Sequence, residues 1–254
     1  MTEAVLRDEA LRIVAIAGEA GMPVRVLGGV AISILVPDWL GRGDRPGRDI
    51  DVATDHVSRR PLSALLEANG YEADRRYNAA NGHKQLYFVD PSRGRPLDVL
   101  IGHMEMCHTF DFEASLAAPG PTVSPADLLL SKLQIVRLTA KDMIDSLVLL
   151  SELPLIRSGR PGIDLGRIVG YCATDWGWWR TVTANLEALT AQAEGVLGQT
   201  HLDLHRPPRF DAIDQIARLR QAIDEAPKSI GWRARAAIGD RVRWYQEPEE
   251  ETHQ

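Results

Sequence analysis

Hydrophobic and polar positions follow two rhythms along this chain. Up to about residue 120 the apolar residues come in short runs between turn formers, and beyond it they recur at helical spacing over long stretches. Early on, Val5, Leu6, Leu11, Ile13, Val14 and Ile16 predict a helix over residues 3–20, stopped by the glycines between 18 and 21. Residues 24–27 read as a short strand entering a tight turn at Gly28-Gly29, and 30–35 as the start of a buried helix. Residues 37–47, with their Pro, Gly, Arg and Asp, read as a mobile loop. A strand over 48–53 and a helix over 61–69 follow, the helix stopped by Gly70. Residues 85–89 and 97–101 predict two strands, joined through a hairpin connection at Pro91-Ser92-Arg93-Gly94-Arg95.

The character changes at residues 119–122. Ser124-Pro125-Ala126-Asp127 puts a serine at an N-cap, proline at the first helical position and an acid in the first turn. Helices are predicted from there over 125–137, 140–153, 164–196, 208–226 and 228–245, the third broken near Gly170 or Gly177. The pattern predicts an α+β protein, a small mixed sheet with flanking helices followed by a helical C-terminal half. A soft boundary divides a catalytic part, 1–120, from a helical part, 121–254. The acidic, polar residues 246–254 read as a frayed tail.

Bulk composition narrows the classes. The chain has 254 residues, 44% of them apolar and 25% charged, which is ordinary for a folded protein with a sizeable core. A formal net charge of −6 argues against broad nonspecific affinity for nucleic acid, while leaving room for a local basic patch. Cys107 and Cys172 stand far apart without metal-ligand spacing, as free thiols in a reducing cytoplasm would. No signal peptide is expected from the acidic start, and no apolar run approaches the roughly 20 residues that span a bilayer.

The chemistry concentrates in three acids. Side chains two apart on a strand share a face, so a strand over 48–53 presents Asp49 and Asp51 together and sends Ile50 and Val52 to the core. Asp98 stands in the apolar run 97–101. Carboxylates held side by side repel unless they share a cation, a proton or solvent. Hard oxygen donors of this kind suit Mg²⁺, which takes one or two carboxylates plus substrate phosphates. A glycine turn able to cradle phosphates lies about twenty residues upstream, and together these features point to two-metal phosphoryl or nucleotidyl transfer.

Three segments carry a family resemblance. Val26-Leu27-Gly28-Gly29-Val30-Ala31, Arg48-Asp49-Ile50-Asp51-Val52-Ala53-Thr54 and Leu97-Asp98-Val99 resemble the nucleotidyltransferase superfamily with the DNA polymerase β-like fold. Residues 125–133 and Lys141-Asp142-Met143-Ile144-Asp145 look like helical motifs of the AbiEii-type nucleotidyltransferases, a group that includes toxins of bacterial toxin–antitoxin and phage-defence systems. The match covers roughly residues 24–150 and leaves the last hundred without a counterpart.

The resemblance implies a Mg²⁺-dependent enzyme that moves an NMP from an NTP to an acceptor hydroxyl, on a tRNA 3′ end or a protein, with a cognate antitoxin as an expected partner. Asp49 and Asp51 would bridge two Mg²⁺ ions and Asp98 would complete the set. The backbone amides at Gly28, Gly29 and Val30 would hold the β- and γ-phosphates. Lys132 would reach the triphosphate, and Asp142 would position that lysine or the acceptor. Many members carry Ser or Thr where this chain has Val30, and Arg42, Arg45 or Arg48 in the loop are the candidates to compensate.

Rival readings stay open. One is a catalytically silent nucleotide-binding regulatory protein, and another a small-molecule nucleotidyltransferase of the aminoglycoside-modifying kind. Asp145 reads as a surface acid paired along its helix, His83 and Lys84 as ordinary residues before a strand with facing the nucleotide the lesser alternative, and His103 and His108 as structural. Tyr171, Trp176, Trp178 and Trp179 read as a packing core. Arg233, Arg235, Arg241 and Arg243, interleaved with Trp232 and Trp244, read as a solvated helix face.

Overall fold

The computed structural model describes residues 3–38, 49–157, 161–204 and 207–247, without the side chains of 3–4 and 196–204. Arg42, Arg45 and Arg48 lie outside the described residues, as do most of the predicted loop and the end of the predicted tail.

The first half runs α1 (Glu3–Glu19), β1 (Val24–Leu27), α2 (Gly28–Leu35), β2 (Ile50–Thr54), α3 (Arg59–Ala68), β3 (Glu72–Ala73), α4 (Arg75–Asn81), β4 (Gln85–Asp90) and β5 (Arg95–Ile101). Its strands form one sheet in the order β1-β2-β5-β4-β3, with β2 and β5 parallel and the other pairs antiparallel. The period-two pattern sorts the two faces. Ile50 and Val52, Leu97, Val99 and Ile101, and Phe88 are fully buried on one face, while Asp51, Asp98, Tyr87 and Gln85 on the other stay partly open. Residues 121–123 run along the outer edge of β1: Val26 N–H donates to Pro121 O (2.8 Å) and Val123 N–H to Val26 O (2.9 Å).

The hairpin β6 (His103–Glu105) and β7 (Thr109–Asp111) and the short α5 (Glu113–Ala117) lead to α6 (Pro125–Leu133) and α7 (Ala140–Glu152). After β8 (Leu155–Ile156) and β9 (Ile163–Asp164) come α8 (Leu165–Thr174), α9 (Trp176–Leu204), α10 (Ala212–Glu225), α11 (Ile230–Ile238) and a 3-10 turn, Gly239–Arg241. Helix α6 is buried from Ala126 to Leu133, touching α2, α7, α8 and α9. Its start is the one the sequence predicts: the Ser124 hydroxyl accepts from Asp127 N–H (3.0 Å) with Pro125 at the first turn. A single hydrophobic core runs from Leu6 to Ile223 through both halves, so residue 120 marks a change of secondary structure and not of core.

A partly buried ionic latch joins the halves. Arg167 of α8 donates to Asp127 of α6 (2.9 Å) and to the Asp111 carbonyl on β7. The Ser115 hydroxyl donates to Asp127, and Tyr171 O–H to Asp111 (2.8 Å). Burial alone would raise the Asp111 carboxyl, but the Tyr171 hydroxyl and the Arg167 charge more than offset it and hold it below the usual range.

Several predicted boundaries move. Helix α6 ends at Leu133, four residues before the predicted 137. The predicted helix 164–196 divides at Asp175, near Gly177 as one of the two predicted places, and the cause is a cap: the Asp175 carboxylate accepts from Gly177 N–H (2.6 Å) and Trp178 N–H (3.1 Å) and opens a new helix. The predicted helix 228–245 stops at Ile238, where Gly239 at φ +61° turns the chain away. No helix among the described residues is long and apolar enough to cross a membrane.

Candidate active site

Strand register brings the acids together. Asp51 on β2 lies directly opposite Asp98 on the parallel β5, and both line a cleft of about 550 Å³. Gly28 also lines the cleft and opposes the same spot, since Leu27 just before it pairs with Asp51. Gly28 has φ +66°, and a Cβ built there would lie 2.2 Å from Asp51 Oδ2. The position therefore demands glycine twice, for its backbone and for the carboxylate packed against it. Helix α2 begins here, and Leu27 at its N-cap offers no side-chain acceptor to the first amides, those of Gly28, Gly29 and the buried Val30.

Like charge defines the electrostatics. Burial, then the charges of Asp49 and Asp98, push the Asp51 carboxyl up to about 7, with Lys132 and Lys141 pulling the other way. Asp98 accepts from Gln85 Nε2 at 2.6 Å. Asp49 precedes β2, is exposed and does not line the cleft, so the structure brings two of the three predicted ligands to that cavity. Among the described residues no three His, Cys, Asp or Glu side chains group closely enough to hold a metal by themselves. The donor chemistry at Asp51 and Asp98 still fits Mg²⁺: hard oxygens, held close against their own repulsion, in a cavity where substrate phosphates would supply further ligands.

Lys132 lines the same cleft from α6, only 9% exposed. Its ammonium reaches Asp142 Oδ1 (3.1 Å) and Asp145 Oδ2 (3.0 Å) on α7. Burial works to lower its pKa, but Asp145 and then Asp142 outweigh that and raise it, so the lysine stays charged. Asp142 pairs with Lys132, and also closes the capping box that starts α7, accepting from the Thr139 hydroxyl (2.7 Å) and backbone N–H (3.2 Å). Asp145, read from sequence as a surface acid, is fully buried beside the lysine. It faces a partner on another helix, which spacing within its own helix does not reveal.

Other cleft residues escaped the sequence reading. Gln85, Met104 and Met106 line it; Lys84, for which the sequence holds a nucleotide-facing role as the lesser alternative, lines it too, as does His103, a structural residue by sequence. Gln85 was legible in principle, because hairpin register sets it on the Asp98 face, two residues along from Tyr87, the partner of Asp98. His108 is structural as expected: it is buried, stacked on Trp178 at 4.9 Å, with Nε2 2.9 Å from Thr181 Oγ1. Burial pushes its pKa down to about 4, against a smaller opposing pull from Asp175. The aromatic group packs as a core, Trp178 against Tyr171 at 5.1 Å. Arg235, read as solvated, instead lies over Trp176 at 4.7 Å.

The chain matches no protein-family model and no curated protein sequence.

Proposed function

We propose that the protein is a Mg²⁺-dependent nucleotidyltransferase of the DNA polymerase β-like fold, moving an NMP from an NTP to an acceptor hydroxyl. One arrangement carries the reading: Asp51 and Asp98 in register across parallel strands, against the uncapped glycine start of α2, with charged Lys132 in the same cleft. Asp51 and Asp98, with Asp49 at the strand mouth, would hold the metal, which when bound offsets charge on the reacting phosphate oxygens. The amides at Gly28, Gly29 and Val30 would bind the β- and γ-phosphates. The acceptor hydroxyl gives its proton to solvent and its oxygen bonds to the α-phosphorus, the bond from that phosphorus to the α,β-bridging oxygen breaks, and pyrophosphate leaves. A tRNA 3′ end or a protein hydroxyl is the proposed acceptor, in a toxin or defence setting with an antitoxin as partner. A reducing cytoplasm accords with the buried free thiols Cys107 and Cys172.

Titration of the four NTPs with Mg²⁺ tests the site. Wild type should bind, and the Asp51→Asn/Asp98→Asn protein should not. Incubation with α-labelled NTP and candidate RNAs and proteins should then label an acceptor and release pyrophosphate. Metal-independent binding, or equal binding by the double variant, would sink the proposal. A second reading, nucleotide binding without transfer, is favoured by the two carboxylates that already engage Lys132 and by Val30 in place of a hydroxyl residue. It predicts Mg²⁺·NTP binding with no pyrophosphate released in the presence of any acceptor.

A further inference from the structure

We infer that the irregular segment 242–247 builds, with the turn after β6, the subsite for the base of the nucleotide, and that the Gln246 amide reads the edge of that base. The inference rests on the nucleotidyltransferase reading, since it needs the triphosphate at the Asp51 end of the cleft. Strand β5 then gives the direction: Asp98 and Leu100 share a face, and beyond Gly102 the chain enters β6 with Met104. Along that line the cleft wall gains apolar side chains, Leu100, Met104, Met106 and Ile135, set among the polar His103, Glu105 and Glu247. A flat apolar ring suits that end, and thioether sulfurs make favourable contacts with rings. Met104 is held in place, because Gln134 Nε2 donates to its sulfur (3.0 Å) while Gln134 Oε1 accepts from His108 N–H (3.2 Å). A cavity of about 550 Å³ is of the size that takes a ligand as large as a nucleotide.

The segment 242–247 has no helix or strand of its own, so side chains elsewhere must fix it. Trp244 Nε1 donates to Thr181 Oγ1 (3.0 Å), Arg180 lies over the Trp244 ring at 5.3 Å, and Arg235 donates to Val242 O (2.6 Å). Gln246 N–H then donates to Cys107 O (3.0 Å), which ties the segment to the β6–β7 hairpin and brings residue 246 to the cleft wall. Gly177 permits the approach: a Cβ there would stand 2.6 Å from Trp244 O. A carboxamide carries both donors and an acceptor, the pair needed to tell one base edge from another.

The test is calorimetric titration of the full chain with Mg²⁺ and each of ATP, GTP, CTP and UTP, and separately with Mg²⁺ and inorganic tripolyphosphate. Wild type should prefer one base by about tenfold or more. Gly177→Ala, which displaces the segment from outside the cleft, should reduce the preference to under about threefold and leave tripolyphosphate affinity unchanged. Gln246→Ala, at an exposed position that the fold does not need, should lose the same preference. Equal binding of all four NTPs by wild type, or a preference that survives both substitutions, overturns the inference. Failure of wild type to bind tripolyphosphate or any NTP overturns the proposed function, and this inference with it. That result is distinct from base-blind binding.

Discussion

Two clusters of acidic side chains are built to opposite rules. Around Arg167 each carboxylate meets a donor of the chain: Asp127 the guanidinium and the Ser115 hydroxyl, Asp111 the Tyr171 hydroxyl. Around Asp51 the largest influences after burial are two further carboxylates, Asp49 and Asp98. The first cluster is complete within the protein and lowers the Asp111 pKa; the second raises that of Asp51 to about 7. A folded chain tolerates the second arrangement only at a cost in stability, and such clusters collect at functional sites. The contrast sets a self-sufficient latch apart from a cluster that awaits a countercharge, as the proposed metal site would.

The sharpest way to break the comparison is to neutralise the like-charged cluster. Asp51→Asn keeps the side-chain volume and removes a metal donor, so nucleotidyl transfer should fall at least about 10³-fold, or about 4 kcal/mol. The same variant should melt higher than wild type in metal-free buffer, because a repelling charge is gone. A lower melting temperature would show that Asp51 is a supporting residue of the fold. In the complete cluster the sign reverses. Arg167→Met leaves Asp127 buried without its cation and should cost about 3–4 kcal/mol in urea unfolding, with Mg²⁺·NTP binding retained by the folded fraction.

His108 supplies a third kind of buried group, one kept neutral. The unfolded imidazole takes a proton near pH 6.5 and the folded one only near pH 4. Stability is therefore fully present above pH 6.5 and is lost as pH falls from 6.5 to 4, by about 3 kcal/mol. Unfolding midpoints measured across that window should show this slope, and His108→Gln should flatten it. The smallest expected effect on stability is Gly28→Ala. Forcing φ +66° on a side chain should cost about 1–2 kcal/mol. The displaced Asp51 carboxylate should weaken Mg²⁺·NTP binding out of proportion to that loss, and unchanged affinity would mean that the Gly28–Asp51 contact does not shape the site.

Much of this was legible from local pattern. The alternation around Asp51 and Asp98 fixed their face, Gly28 announced its turn, and Ser124-Pro125 marked the start of α6. What stayed hidden depends on contacts between distant segments. Asp145 gains its meaning from Lys132 on another helix, and the break at Asp175 comes from a side-chain cap that outweighs the neighbouring glycines. Residues 242–245 read as helix and 246–247 as frayed tail, so nothing in their spacing foretells that Gln246 is tied to Cys107 and reaches the cleft.

The chain along β1 has a further consequence, for solubility. An open strand edge is a template on which a second molecule can pair and aggregate. Here residues 121–123 occupy one edge of the sheet, and the other ends in β3, a strand of two residues. Among the described residues neither edge offers a long open run, so a sheet that lines a cleft with its acids keeps its backbone to itself.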